Sequence, residues 1–598
     1  MKKSPSVFAF LIVLFGMSTG LIAAPSGGPY GPIQQHYDLP ETEGTVYFVA
    51  PDGSADAPGT DLAAPTSVEA AIAKVTTGDA IVFRGGTYRT GNLVFNQGIT
   101  MKPFGDEQPV LKGTRVVTAD DAVKQQNGLW RVKWETLFPL RPQPWWRRDS
   151  SGAQTPQWLF NNDMIFVDGK SLKTVGWEGE VDEDSFSIDY EAGNVYFDVD
   201  PNEHVVEITA FDNAFTRTTD EVHGKVSDRI GPVIRGLTLT QYAYRGIEIG
   251  GYDPEEISGE DEHGNDVVGT TLEHVTITHC SRVAGYFRGD NMVFRHCLIS
   301  DTSTEGIFIL ASDDALLEKN IFRRNNVEGI RGYFPAAVKI FNQTRRVIVR
   351  DNLLYDNPGS NGIWYDVGNV DGVFVNNWIQ DGYNGFFFEI SKGVICAGNV
   401  FVNSGAWVLN SSGAKVFNNT FVNSSLRITR TTRSAVGDHF DWHPASGPDV
   451  EERHSHVARN NHFVSDGSHA DPFVRLEQSA ALVDRLKESA AMFDHNVYVR
   501  TGSEPADLLR WSPVPTETGQ ADYASLAALQ KVVPSAEPHG IELSDYNGPL
   551  FQSLQLQRYE LSADFPGTGM TGTVPANIAD LIGVSPEAGG TPGAFGSQ

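Results

Sequence analysis

One short phrase recurs between residues 352 and 425 and limits what the chain can become. Asn352-Leu353-Leu354-Tyr355 is followed by Asn377-Trp378-Ile379-Gln380, Asn399-Val400-Phe401-Val402 and Asn419-Thr420-Phe421-Val422. The Asn-to-Asn spacings are 25, 22 and 20 residues. An apolar repeat of that length, too short for a helical pair, predicts a β-solenoid with one repeat per coil. The Asn should stack at a bend, with apolar side chains pointing inward. The same place is assigned to His274, His296 and Asn320 in earlier coils.

A second phrase runs out of phase with the first: Gly362-Ile363-Trp364-Tyr365-Asp366, Gly385-Phe386-Phe387-Phe388-Glu389 and Gly405-Ala406-Trp407-Val408-Leu409. Strand alternation puts Ile363, Tyr365, Phe386 and Phe388 on one side. Trp364, Asp366, Phe387 and Glu389 fall on the other. If the first set faces the core, the second is an outer face bearing aromatics and two carboxylates.

In chain order, residues 1–24 read as a secretory signal: Lys2 and Lys3, an apolar run from Val7 to Phe15, then Ala23 and Ala24. The run is too short for a stable membrane span. A secreted or periplasmic protein with no membrane span after signal removal is expected. Residues 25–115 form the N-terminal cap and first coils, with a helical pattern from Pro65 to Val75 that would cap the open core. Residues 116–210 break the rhythm with alternating strands and turn residues, which predicts a small antiparallel β insertion able to wall a groove. Coils continue through 211–430, and residues 431–598 hold C-terminal coils, loops and a cap. Helical patterns there run over Gln478–Lys487 and Tyr523–Lys531.

The start of the chain resembles secreted right-handed parallel β-helix proteins, among them many polysaccharide lyases and glycoside hydrolases. The matching order is a strand, the turn Pro51-Asp52-Gly53-Ser54, a helix, Gly78-Asp79, and a strand ending Arg84-Gly85-Gly86-Thr87-Tyr88. Val338–Gln343, Asn361–Ile379, Gly385–Gly393 and Asp441–Pro444 also resemble secreted bacterial members of that group. The resemblance implies an all-β, right-handed parallel β-helix and, by association, action on a polysaccharide.

The formal net charge is −29, which argues against a nucleic-acid partner because that would need a basic face. A monomer is expected. Cys280, Cys297 and Cys396 are an odd set, and Cys280 and Cys297 fall at different phases of their coils, so core thiols rather than a disulfide are expected. Seven acidic residues between Asp253 and Asp266 could hold calcium, but lack the spacing of a defined loop motif. A solvated loop is the simpler reading, and neither a cofactor nor a metal centre is assigned.

Neighbouring coils lie about 4.8 Å apart, so Asp366 and Glu389 should bring two carboxyl groups close together. That is the arrangement of a glycosidase, with one protonated acid and one ionised nucleophile or base. Trp364, Phe387 and Trp407 would be sugar platforms beside them. Lys339 falls one coil earlier, where it could hold Asp366 ionised. Alternatively, a Lys or Arg such as Lys339, paired with a tyrosine, could abstract a proton next to a uronic carboxylate, which is lyase chemistry; Arg288 and Tyr365 are expected to bind substrate. His439, Asp441 and His443 lie in a loop that could fold over the groove and touch sugar hydroxyls. The leading expectation is a glycoside hydrolase; a lyase and a non-catalytic glycan-binding module remain open.

Overall fold

Each coil consists of three short strands, and its corners fall where residues adopt left-handed backbone. One corner row runs through His274, His296, Lys319, Asp351, Asn376, Gly398, Asn418, Asn460 and His495, with φ between 50° and 67°. A second runs through His279, Asp301, Arg324, Asp356, Asp381, Asn403 and Asn423. Most of these residues are Asn, Asp or Gly, which reach this backbone region at least cost.

In the computed structural model, residues 27–148, 152–250, 263–332, 335–431, 453–479, 492–502, 506–554 and 556–595 are described. The signal segment, Asp253–Glu262 of the acidic loop, most of Gln478–Lys487, and His439, Asp441 and His443 lie outside them.

Among the described residues, the coils stack into three sheets of 13 strands each. Sheet 1 runs from Val46–Val49 to Phe493–Asp494, sheet 2 from Leu93–Phe95 to Ala521–Tyr523, and sheet 3 from Gly86–Arg89 to Ile541–Leu543. Pairing is parallel throughout, except that Leu509–Trp511 meets Ala521–Tyr523 antiparallel at the end of sheet 2. The expected all-β parallel β-helix is therefore present. A helix over Val68–Lys74, capped by Ser67, packs Val68, Ala71 and Ile72 against the first coils. Another helix spans Leu526–Gln530 near the far end.

The core is a column of stacked side chains. Phe401, Phe421 and Phe463 follow one another with centroids 4.7 Å apart, and Tyr498 follows at 5.2 Å. Cys280, Cys297 and Cys396 are free and buried, as expected. Burial pushes the first two thiols up to about 12. No described helix is long and apolar enough to cross a membrane.

The repeated asparagines form an internal ladder. Asn320, Asn352, Asn377, Asn399, Asn419 and Asn461 each donate from Nδ2 to Oδ1 of the Asn one coil on, at 2.9–3.1 Å. The last rung, Asn496, donates to Glu537 Oε1 at 2.7 Å. The second amide proton of each goes to a backbone carbonyl, such as Phe374 O for Asn399. Each ladder Oδ1 also accepts a backbone N–H from the coil before, so the buried amide has its hydrogen bonds made. The placement of His274 and His296 in this row is corrected. Cys297 is the residue whose N–H meets Asn320 Oδ1, so Cys297 belongs to the ladder row. His274 and His296 sit one residue earlier, in the left-handed corner, with their rings stacked at 5.0 Å.

The interruption before the central coils forms two small sheets. One pairs Thr114–Val116, Ile165–Val167, Lys170–Ser171 and Val206–Thr209. The other contains Ala122–Lys124, Trp130–Lys133, Lys173–Thr174, Ser185–Asp189 and Asn194–Phe197. Pairing is antiparallel except between Lys173–Thr174 and Ser185–Phe186. Phe186, Val195, Phe197 and Ile208 form the centre of a separate small core.

Two measurements probe this architecture. Asn399→Ala removes a rung and leaves its buried partners unsatisfied, so it should cost about 1–3 kcal/mol in denaturant unfolding. Burial pushes the Glu537 carboxyl up to about 7, above its ordinary 4.5. Because the folded form holds the proton more tightly, this contribution is full below about pH 4.5 and is lost as pH rises through about 7. Glu537→Gln should flatten that part of a melting-temperature profile between pH 4.5 and 7.

Candidate functional site

The outer face of sheet 2 carries the residues with chemical potential. Its register sets Phe308, Lys339, Trp364, Phe387, Trp407 and Arg427 in one row. Two residues further along, Arg288, Leu310, Phe341, Asp366, Glu389 and Leu409 form a second row. Asp366 and Glu389 are thus direct neighbours on adjacent strands, about 4.8 Å apart at the backbone. Ile363, Tyr365, Phe386 and Phe388 point into the core, as the alternation requires.

Hydrogen bonds at the corner after the strands hold both carboxylates' backbones. Asn369 Nδ2 donates to Asp366 O at 2.7 Å, and Ser391 Oγ donates to Glu389 O at 2.7 Å. The same corner links Asn369 N to Ser391 Oγ, and Ser391 N to Ser411 Oγ, each at 3.1 Å. The residue after each carboxylate is β-branched and left-handed: Val367 at φ 40° and Ile390 at φ 47°. Neighbouring coils place Ala311, Asn342 and Asn410 there. Left-handed backbone is costly for a β-branched residue and persists only where its surroundings fix it. In this corner that cost falls on the two coils carrying the carboxylates.

The electrostatics set the two acids apart. Lys339 Nζ lies 3.1 Å from Asp366 Oδ2, an ammonium directly against one carboxylate. Glu389 is only 2% exposed. A third acid, Glu305, begins the strand Glu305–Leu310 and is buried, with Oε2 making no hydrogen bond among the described residues. Burial raises its carboxyl to about 7, opposed by the charges of Arg282 and Lys339. Sequence reasoning missed Glu305. Its only signal is a glutamate directly before the Gly306-Ile307-Phe308 phrase, at a place where other coils carry Val283, Ala336 or Asn361.

The insertion reaches this end of the strands. The Arg282 guanidinium sits 5.8 Å from the Trp146 ring and 5.4 Å from the Phe160 ring. A side chain at Gly332 would collide with Trp146 O and Arg148 O at 2.5 and 2.6 Å, so the loop and the insertion pack closely there.

Several expected ligands stand differently. Trp364, Phe387 and Trp407 form the outward column, but their faces are filled. Trp364 stacks on Phe387 at 4.8 Å, and Phe387 on Trp407 at 4.6 Å with the rings 4° from parallel. Lys339 Nζ covers Trp364 at 4.0 Å and the Arg427 guanidinium covers Trp407 at 4.5 Å. Trp364 and Phe387 are 4% and 5% exposed. A flat sugar face has no free ring face to meet, so stacking platforms are not what this column offers. Tyr365 is corrected as a substrate ligand: it lies in the core, its hydroxyl donating to Val347 O and Val373 O, and burial holds the phenol protonated. Arg288 faces outward in the Asp366 row but three strands away, about 14 Å by strand spacing, and donates to the Tyr286 hydroxyl.

A family model and one solved structure, of XylC, agree with this architecture. The model of a family described as "Right handed beta helix region" matches residues 226–344 and 261–425. No curated protein matches the chain in sequence. Among solved structures, a complex of XylC with xylose is 15% identical, covering 78% of this chain and 86% of its own, with a TM-score of 0.55. The A-module of the Azotobacter vinelandii mannuronan C-5 epimerase AlgE6 is 11% identical, covering 77% and 97%, with a TM-score of 0.41. Pectate lyase Pel9A is 11% identical, covering 93% and 96%, with a TM-score of 0.36.

Phe387→Ala should open a cavity within the aromatic column and destabilise the protein by about 3–5 kcal/mol, measurable by chemical unfolding. The chain folds as a right-handed parallel β-helix.

Proposed function

We propose that the chain is an exported glycoside hydrolase acting on a polysaccharide, with Asp366 as nucleophile and Glu389 as acid and base. The observation that carries this reading is the 3.1 Å contact of Lys339 with Asp366, next to the buried Glu389 on the adjoining strand. An ammonium beside one carboxylate and burial of the other give the two acids different surroundings, the asymmetry that a nucleophile and an acid-base residue need. The strand spacing of about 4.8 Å is near the separation of about 5–5.5 Å used by retaining enzymes.

In this mechanism Asp366 attacks the anomeric carbon while the bond to the leaving oxygen breaks. Glu389 gives that oxygen its proton. The resulting glycosyl ester is opened by water, whose proton returns to Glu389, and the product keeps its anomeric configuration. Lys339 acts through Asp366 and is a positioning residue. The likeness to XylC, whose structure holds xylose, makes a neutral xylose-containing glycan the first substrate to try.

Lyase chemistry is less well supported. It would use Lys339 as a free base, whereas its ammonium is engaged by Asp366, and Tyr365 is enclosed by the core.

The test is turnover on neutral and uronate-containing polysaccharides, with mass analysis and NMR of the products. Hydrolysis with retention is expected. Asp366→Asn and Glu389→Gln should each lower kcat by about 10²–10⁴-fold. Azide should restore turnover of an activated aryl glycoside by Glu389→Gln, because the activated leaving group needs no acid and azide opens the glycosyl ester without a general base. An unsaturated uronide product would establish the lyase instead. Glycan binding without any cleavage would leave a binding module.

A further inference from the structure

The far end of the solenoid holds a cluster of a different kind. Asp494 ends the last strand of sheet 1, His495 follows it in the left-handed corner row, and His539 comes just before the last strand of sheet 3. Ligand atoms of these three residues lie within 4.8 Å of one another. Asp494 Oδ1 accepts the backbone N–H groups of His495 and His539 at 2.9 and 2.8 Å, which fixes the carboxylate and directs Oδ2 toward the rings. His539 Nδ1 is 2.9 Å from that Oδ2, and His495 Nε2 is 3.5 Å from it.

The tautomer of His495 follows from its other neighbour. Nδ1 lies 3.1 Å from Met570 O, and a carbonyl can only accept, so Nδ1 carries a proton. In the neutral ring, Nε2 then presents a lone pair to a carboxylate oxygen, an opposition that a cation between them relieves. A ring N–H given to a backbone carbonyl while the second nitrogen faces outward is also how metal-binding histidines are oriented. Two atoms bound at about 2.05 Å and separated by 2.9 or 3.5 Å subtend about 90° or 117° at a metal, which brackets the tetrahedral angle.

We propose that Asp494, His495 and His539 bind one divalent transition metal of the zinc class, which ties the last coil to the C-terminal cap. Two imidazoles and one carboxylate suit such ions and leave calcium a poor fit. Binding displaces the Nδ1 proton of His539 to Nε2, on the exposed side of the ring. Water completes the coordination. The rings stack at 4.7 Å, and a modest turn of the His539 side chain, 65% exposed, converges the nitrogens. The site is remote from Asp366 and Glu389 along the solenoid, so it rests on none of the reading above.

The full exported chain, stripped with a chelator and dialysed, should bind one equivalent of Zn²⁺ by calorimetry and elemental analysis. Its melting temperature should rise with Zn²⁺ concentration, as linkage requires. His539→Ala removes an exposed side chain, so the metal-free variant should fold and melt near the metal-free parent. Its Zn²⁺ affinity should fall by about 10–100-fold or more, and the metal-dependent rise in melting temperature should disappear. Asp494→Asn should do the same. Absence of stoichiometric Zn²⁺ in the parent, or undiminished binding by His539→Ala, would overturn the assignment.

Discussion

Successive coils must stack in register, strand on strand, and most of the molecule follows from that constraint. A slip of one residue would turn Tyr365 and Phe388 outward and bury Asp366 in the core. The asparagine ladder resists such a slip because an amide one residue out of place would lose its partners above and below in a setting without water. Cross-strand pairing alone is less selective, since parallel backbone bonds look alike from one residue to the next. The ladder therefore gives the apolar column its phase, and the outer face of sheet 2 inherits it.

The candidate site uses this inherited precision. Asp366 and Glu389 do not converge from distant loops; they are one row of a repeating lattice, so strand geometry fixes their separation. Differentiation between the two comes from what surrounds the row. Lys339 supplies a cation on one side, while Glu389 is buried on the next strand. Val367 and Ile390 add a local cost at the corner that the ladder of Asn369, Ser391 and Ser411 holds in place. The aromatic column contributes rigidity beside the acids on the same face, with a cation closing it at each end.

Much of this was legible in the sequence because a solenoid writes its period into the chain. The phase of Gly362–Asp366 and Gly385–Glu389 gave the inward and outward sets directly, and with them the acid pair and the place of Lys339. The misplacement of His274 and His296 has a physical origin: the ladder and the left-handed corner are consecutive positions, and both accept polar residues. The closed faces of Trp364, Phe387 and Trp407 could not be read from alternation, which gives direction but not whether neighbours fill the space. Glu305 escaped notice for a related reason. Its carboxyl is influenced by the charge of Arg282, which packs against Trp146 and Phe160 of the insertion, contacts between segments far apart in the chain.

The asparagine ladder also has a direction. Every rung donates toward the C-terminal end, from Asn320 down to Asn496, so the amide dipoles add along the axis as peptide dipoles do in an α-helix. The positive end of this line falls on Glu537, which accepts from both Asn496 and Tyr498. A β-solenoid has little net backbone dipole of its own, because its strands run around the axis rather than along it. Its side chains here create one, and the carboxyl at its end stands where an anion stands at the start of a helix.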